Sequence, residues 1–166
     1  MNAVKLLTKQ HRELESLMKA TLEAQQPEAR LAAVARVGDE LTKHITSEEQ
    51  VFYPAVRAER TEDVLLESLE EHLSLKRLLA DLLVLDPAAD TWEAKFKVLK
   101  EQTEHHHEEE EEKLFPKVSK MMDIARLDRL GQDLLALQQK LQQEGSPRNA
   151  VSGQTTEAAP LTESAG

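Results

Sequence analysis

The chain has 166 residues, a formal net charge of −10 and no cysteine. That length supports one domain with a real core. The acidity argues against a nucleic-acid partner, which needs a basic face, and the missing cysteines exclude disulfides, thiolate zinc, iron–sulfur ligation and thiol catalysis. Aromatic residues are few, and Leu, Glu, Ala, Lys and Gln dominate, which is a helical vocabulary. No window approaches the roughly 18 apolar residues of a membrane span. Met1 to Thr8 has no cationic region leading into an apolar run, so no signal peptide is expected. A soluble cytoplasmic protein with no membrane partner is the default.

The first helix is predicted from about Asn2 to Ala24. Its apolar stripe is Val4, Leu7, Leu14, Met18 and Leu22, with His11 in the one gap. Pro27 suits the first turn of a second helix running to about Ala58. There the stripe reads Val34, Val37, Leu41, His44, Glu48, then Val51 or Phe52. Pro54 should kink or stop this helix, because its missing N–H and its ring disturb the preceding turn.

Thr61 is expected to cap a third helix with the stripe Leu65, Leu69, His72, Leu75 or Lys76, Leu79 and Leu82. Asp86-Pro87 begins a loop. Asp90 or Thr91 caps a fourth helix whose stripe is Trp92, Phe96, Leu99, Thr103, His106, Glu110 and Leu114. Asp123 caps a shorter fifth helix ending near Glu144, with a leucine face that either closes the bundle or meets another protomer. Gly145 to Gly166 changes to Gly, Ser, Pro, Thr and Ala, and reads as a disordered tail beyond a domain of residues 1–144.

The two halves repeat at an offset of 61 or 62 residues, pairing His11 with His72, His44 with His106, Glu48 with Glu110 and Pro54 with Pro116. Two copies of a helical hairpin predict an all-α, antiparallel up-down four-helix bundle with approximate two-fold symmetry, plus the short fifth helix.

His44 and Glu48 lie one turn apart on one helix face, and so do His106 and Glu110. With His11 and His72 they place six polar groups in an apolar seam. Burying two ionised carboxylates there without compensation is unfavourable, and no Lys or Arg is obviously placed in the seam to pair with them. Metal cations would supply the charge. Six donors exceed one tetrahedral zinc. They suit two metals, each with two imidazoles, both carboxylates bridging, and mixed N and O ligation puts iron ahead of manganese or zinc. Alignment through Pro116 and the fourth helix's stripe both select His106 and Glu110 from the run of three histidines, leaving His105 and His107 as flanking residues. Tyr53 could donate a hydrogen bond near Glu48, but an interface or surface position is the expectation. The ferritin-like carboxylate bundles use Glu-x-x-His pairs on two helices, and here only Glu104 with His107 has that spacing.

These motifs resemble the hemerythrin-like, HHE cation-binding family: His11, His44-x3-Glu48 with Glu49 and Phe-Tyr-Pro, His72, and His106-x3-Glu110 with Glu111 and Leu-Phe-Pro, over about residues 1 to 120. The resemblance implies a hemerythrin-like bundle holding a non-haem diiron centre, with Glu48 and Glu110 bridging and an oxo or hydroxo bridge between the irons. Respiratory members use five histidines. Four matched ones here place the chain nearer the bacterial and regulatory branch. The expected function is binding of O2, nitric oxide or a related small oxidant for sensing, scavenging or storage. A diiron enzyme acting on peroxide or nitric oxide, and an iron-buffering or structural metal protein, are the alternatives.

Overall fold

The structure is a computed structural model that describes residues 1–163. Four long helices make the bundle: α1 (Ala3–Glu23), α2 (Pro27–Ser47), α4 (Glu62–Val84) and α5 (Trp92–Glu109). Between α2 and α4 lie a π-helical turn (Glu48–Phe52) and the short α3 (Tyr53–Val56). A second π-helical turn (Glu110–Leu114) carries α5 into α6 (Phe115–Met121), and α7 (Ile124–Gln143) follows. Around the bundle α1 packs on α2 and α5, while α4 packs on α2 and α5, and short connections within each hairpin make sequential helices antiparallel. No strand occurs among the described residues.

Side chains of the expected stripes build two separate apolar cores. One collects Leu7, Phe52, Leu65, Leu69, Leu114 and Phe115. The other collects Leu14, Met18, Leu41, Leu75, Trp92 and Leu99. Along every long helix the passage from one core to the other crosses a polar position: His11 on α1, His44 on α2, His72 on α4 and His106 on α5. A polar layer therefore divides the bundle interior.

Capping follows the sequence only in part. Asp123 caps α7, accepting from the Arg126 N–H at 2.8 Å, and Asn2 caps α1 in the same way. Thr61 precedes α4 but makes no cap bond. Its hydroxyl accepts from the Ala58 N–H at 2.9 Å and donates to the Val56 carbonyl at 2.8 Å, closing the α3–α4 turn instead. Neither Asp90 nor Thr91 forms the expected cap on α5.

α7 closes the bundle, packing Leu127, Leu130 and Leu134 into the first core and lying against α1 and α2. Gly131 makes this approach possible. A Cβ there would meet the Met1 carbonyl oxygen far inside contact distance, with Asn2 C and Ala3 N each at 3.1 Å. Alanine normally favours a helix over glycine by ~1 kcal/mol, whereas overpacking costs about 1–3 kcal/mol. Gly131→Ala should thus lower the melting temperature despite its better helix propensity, as thermal denaturation followed by circular dichroism will show.

The segment after α7, expected to be disordered, is built onto the bundle, with residues 164–166 outside the described part. Gly145 turns the chain at φ 133°, a conformation glycine adopts without strain. A 3-10 helix (Pro147–Gln154) then lies against α2 and α4. Val151 is buried in the second core. Arg148 bonds Asp39 through its backbone N–H at 3.1 Å and its guanidinium at 2.8 Å. Arg77 donates to the Thr155 carbonyl and Arg57 to that of Leu161. Pro147 and Val151 are buried, Ala158, Ala159 and Leu161 pack against the first core, and the arginine bonds complete the anchoring, a pattern that bulk composition does not reveal. Val151→Asp should release this strap, seen as trypsin cleavage after Arg148 in the variant under conditions that leave the parent uncut.

Candidate metal centre

Proline creates the local geometry of the polar layer. In a regular α-helix the ring of Pro54 would strike the carbonyl of Gln50 and leave it without a donor. The helix widens instead: the Tyr53 N–H reaches back five residues to the Glu48 carbonyl. Pro116 has the same effect in the second half, where the Phe115 N–H bonds the Glu110 carbonyl. Each widened turn begins at the inward glutamate, so the carboxylates sit where the backbone changes pitch, a common location for functional groups.

All six candidate residues from the sequence meet in this layer and are buried. The Nε2 atoms of His44 and His72 each lie 3.3 Å from Glu48 Oε1. Those of His11 and His106 lie 3.3 Å and 3.2 Å from Glu110 Oε1. Donor atoms of His11, His44, Glu48 and Glu110 fall within 4.8 Å of one another, as do those of Glu48, His72 and His106. Two overlapping donor sets thus share a carboxylate.

A second ring of residues orients the imidazoles from outside. Each inward ring presents Nε2 to the centre and Nδ1 to an oxygen acceptor: His11 to Glu111 at 2.8 Å, His44 to Gln10 at 2.9 Å, His72 to Glu49 at 2.9 Å and His106 to Glu71 at 2.8 Å. Such partners select the tautomer that leaves Nε2 free. The pattern obeys the sequence repeat and crosses between halves. Glu49 and Glu111 each follow an inward glutamate and hold the first histidine of the opposite half. Gln10 and Glu71 each precede a first histidine and hold the second histidine of their own half. Extending the repeat by one residue at each motif would have found them. Beyond this ring, Lys76 donates to Glu49 at 2.9 Å, and Gln138 of α7 donates to Gln10 at 3.0 Å and Ser47 at 2.9 Å.

Lys76, one of the two residues offered for the α4 stripe, is buried and pairs with Glu49 rather than with either inward glutamate. Two expectations need correction. Tyr53, expected at a surface or interface, is buried because the extra residue in the π-helical turn rotates it inward. Its hydroxyl donates to Glu110 Oε2 at 2.8 Å and lies 3.2 Å from His72 Nε2. His107, expected to flank the site, is also buried beside His11 and His44, whereas His105 is exposed.

The electrostatics leave the layer incomplete. His11 Nε2, His44 Nε2, both oxygens of Glu48 and Glu110 Oε1 are buried without a hydrogen-bond partner, and native structures rarely tolerate such groups. Burial, then the charge of Glu110, pushes the Glu48 carboxyl well above the usual carboxylate range. Burial lowers His44 well below the ordinary imidazole value, helped by the neighbouring His11 and His107. Burial also opposes charge on His106, yet Glu110 and Glu71 outweigh it and raise this imidazole to about 9. Both shifts favour the protonated forms of Glu48 and His106. The donor set of imidazole nitrogens and carboxylates, without sulfur, fits divalent or trivalent transition metals, which would displace those protons.

Comparison with known proteins agrees with this arrangement. The family model described as the hemerythrin HHE cation binding domain matches residues 2–118. Among curated proteins, a DNA nickase of Nostoc sp. (strain PCC 7120 / SAG 25.82 / UTEX 2576) is 24% identical over 143 residues, which cover 86% of this chain and 41% of that protein. The chain therefore spans about two fifths of that relative's length. A crystal structure of a hemerythrin HHE cation binding domain-containing protein from Mycobacterium kansasii superposes with a TM-score of 0.76 at 23% identity, covering 95% of this chain and 94% of the other. The similarity to that structure carries the helical-bundle fold. With a family match spanning most of its length, the chain belongs to the hemerythrin HHE cation-binding family.

Proposed function

We propose that the polar layer holds two iron ions and that the loaded protein binds O2, nitric oxide or a related small oxidant for sensing, scavenging or storage. The observation that carries this reading is the set of buried, unpartnered atoms on His11, His44, Glu48 and Glu110. His11 and His44 would hold one ion, His72 and His106 the other, and Glu48 and Glu110 would bridge. A bound iron pair supplies redox-active Lewis acidity toward a small ligand.

The chain's own residues set the conditions. Glu111, Gln10, Glu49 and Glu71 fix the imidazole tautomers, while the two apolar cores above and below limit water. A cleft of about 870 Å³, lined by Gln10, Leu14, Lys43, His44 and Gln138 among others, brings solvent-side space to His44 and offers a small ligand an approach. The acidic surface supports a protein without a nucleic-acid partner, so nicking activity is not carried over from the Nostoc relative. Among the described residues no helix is long and apolar enough to cross a membrane; a cytoplasmic location is part of this proposal.

One observation favours a second reading, turnover of peroxide or nitric oxide. The Tyr53 hydroxyl beside Glu110 and His72 is a proton donor held within the layer, where a reacting ligand would need one. Iron storage without further chemistry is a third.

Protein purified without added metal should contain two irons per chain, and its visible spectrum should change reversibly and stoichiometrically with O2 or nitric oxide. Many turnovers of peroxide would select the enzyme instead, and zinc alone, a single metal or none would refute the diiron reading. Removing the iron should lower the melting temperature on the order of 10 °C, because a ligand at about 1,000 times its Kd contributes roughly 4 kcal/mol. His106→Ala should weaken iron binding by roughly 100-fold or more, and His105→Ala should leave it unchanged, as measured by competition with a chelator.

A further inference from the structure

The cleft beside His44 is far larger than a diatomic molecule or peroxide requires. Its volume of about 870 Å³ falls in the range, roughly 300–1,000 Å³, over which proteins hold organic molecules of drug-like size. It runs along α1 and α2. Its inner end is formed by His44, Gln10 and Gln138 of α7, which are joined by hydrogen bonds.

The charge of the cleft runs against that of the chain. Six ionised side chains line it: the cations Lys9, Arg12, Arg36 and Lys43, and the carboxylates Glu13 and Glu40. The lining therefore has two positive charges in excess, in a protein of net charge −10. Lys9 pairs with Glu13, Lys43 with Glu40, and Arg12 with Glu15 and Glu111, which leaves the Arg36 guanidinium without a carboxylate among the described residues. A guanidinium can grip a carboxylate through two N–H groups at once.

The floor of the cleft is apolar. Leu14 belongs to the second core, and Leu17 packs against that core. Arg36, Glu40 and His44 follow one another at single-turn spacing on α2, so Arg36 stands about 12 Å from His44 along the helix axis. α1 runs antiparallel to α2, with His11 and His44 in one layer, which puts Leu17 and Leu14 between the levels of Arg36 and His44. A free cation, an apolar floor and a polar inner end thus follow in that order.

We propose that this cleft binds an amphipathic organic anion: a linear carboxylate whose head pairs with Arg36 and whose apolar chain lies over Leu17 and Leu14 toward His44. A doubly charged phosphate ester fits less well, because Arg36 alone of the four lining cations lacks a partner among the described residues. The site goes beyond the binding of a small oxidant and does not depend on iron. It adds a second ligand class at the edge of the same polar layer.

Calorimetric titration of the full-length chain, as purified, with decanoate below its micelle concentration tests this. One site per chain is expected. Decyltrimethylammonium, with the same chain on a cationic head, and acetate, the head without the chain, should each bind at least tenfold more weakly. Arg36→Gln, at an exposed position, should weaken decanoate binding tenfold or more, and Arg60→Gln, also exposed but outside the cleft, should leave it unchanged. In NMR spectra decanoate should shift the methyl resonances of Leu14 and Leu17. Absence of saturable binding, decanoate affinity untouched by Arg36→Gln, equal affinity for the cationic probe, or shifts confined to leucines outside the cleft would each overturn the proposal. None of these measurements reads iron, so such a result leaves the two-iron reading standing. A chain without iron that binds decanoate through Arg36 would overturn that reading and support this one.

Discussion

Two glutamates buried between two apolar cores are the constraint on which the structure turns. Glu48 and Glu110 are both inaccessible to solvent with carboxylate oxygens within 4.8 Å of each other, and two such carboxylates in a low-dielectric interior cannot both stay charged unaided. The surrounding groups answer this need. Imidazoles converge on each carboxylate, burial and the charge of Glu110 push the Glu48 carboxyl up, and Glu110 with Glu71 raises His106 to about 9 against burial. The bundle folds around a charge deficit, and the metal pair proposed here fills it.

The arrangement that manages the deficit is economical because it is repeated. One helical hairpin supplies an inward histidine, a second histidine with its glutamate one turn later, and a proline six residues beyond the glutamate. The proline widens the helix and sets the glutamate at the start of the widened turn. Duplication closes the layer, and the crossed outer contacts of Glu49 with His72 and Glu111 with His11 tie each half to the other. The two hairpins are thereby coupled through polar contacts as well as through apolar packing. α7 and the 3-10 strap then cover the duplicated core without entering its symmetry.

Function is expected where the symmetry fails. His107 against Ile45, Glu15 against Lys76, and Tyr53 against Phe115 are chemical differences placed on equivalent ground. An imidazole is added beside His11 and His44, and a hydroxyl beside His72 and Glu110.

The helical class, the bundle and the six inward donors were legible in the chain itself. Periodicity of 3.6 residues and a 61- or 62-residue repeat are local and additive signals, and a histidine or glutamate in a leucine stripe has no other direction to face. The fate of Tyr53 was not legible, because it depends on whether proline breaks the helix or widens it, and only packing against the first core selects the widened turn. His107 was misread for a related reason: a helix with neighbours on two sides buries adjacent positions, so a single-stripe rule admits His106 and rejects the residue beside it. The tail escaped because a few small apolar contacts and arginine bonds to carbonyls and to Asp39 anchor it. Those partners are far apart in sequence, and composition carries no record of distance in space.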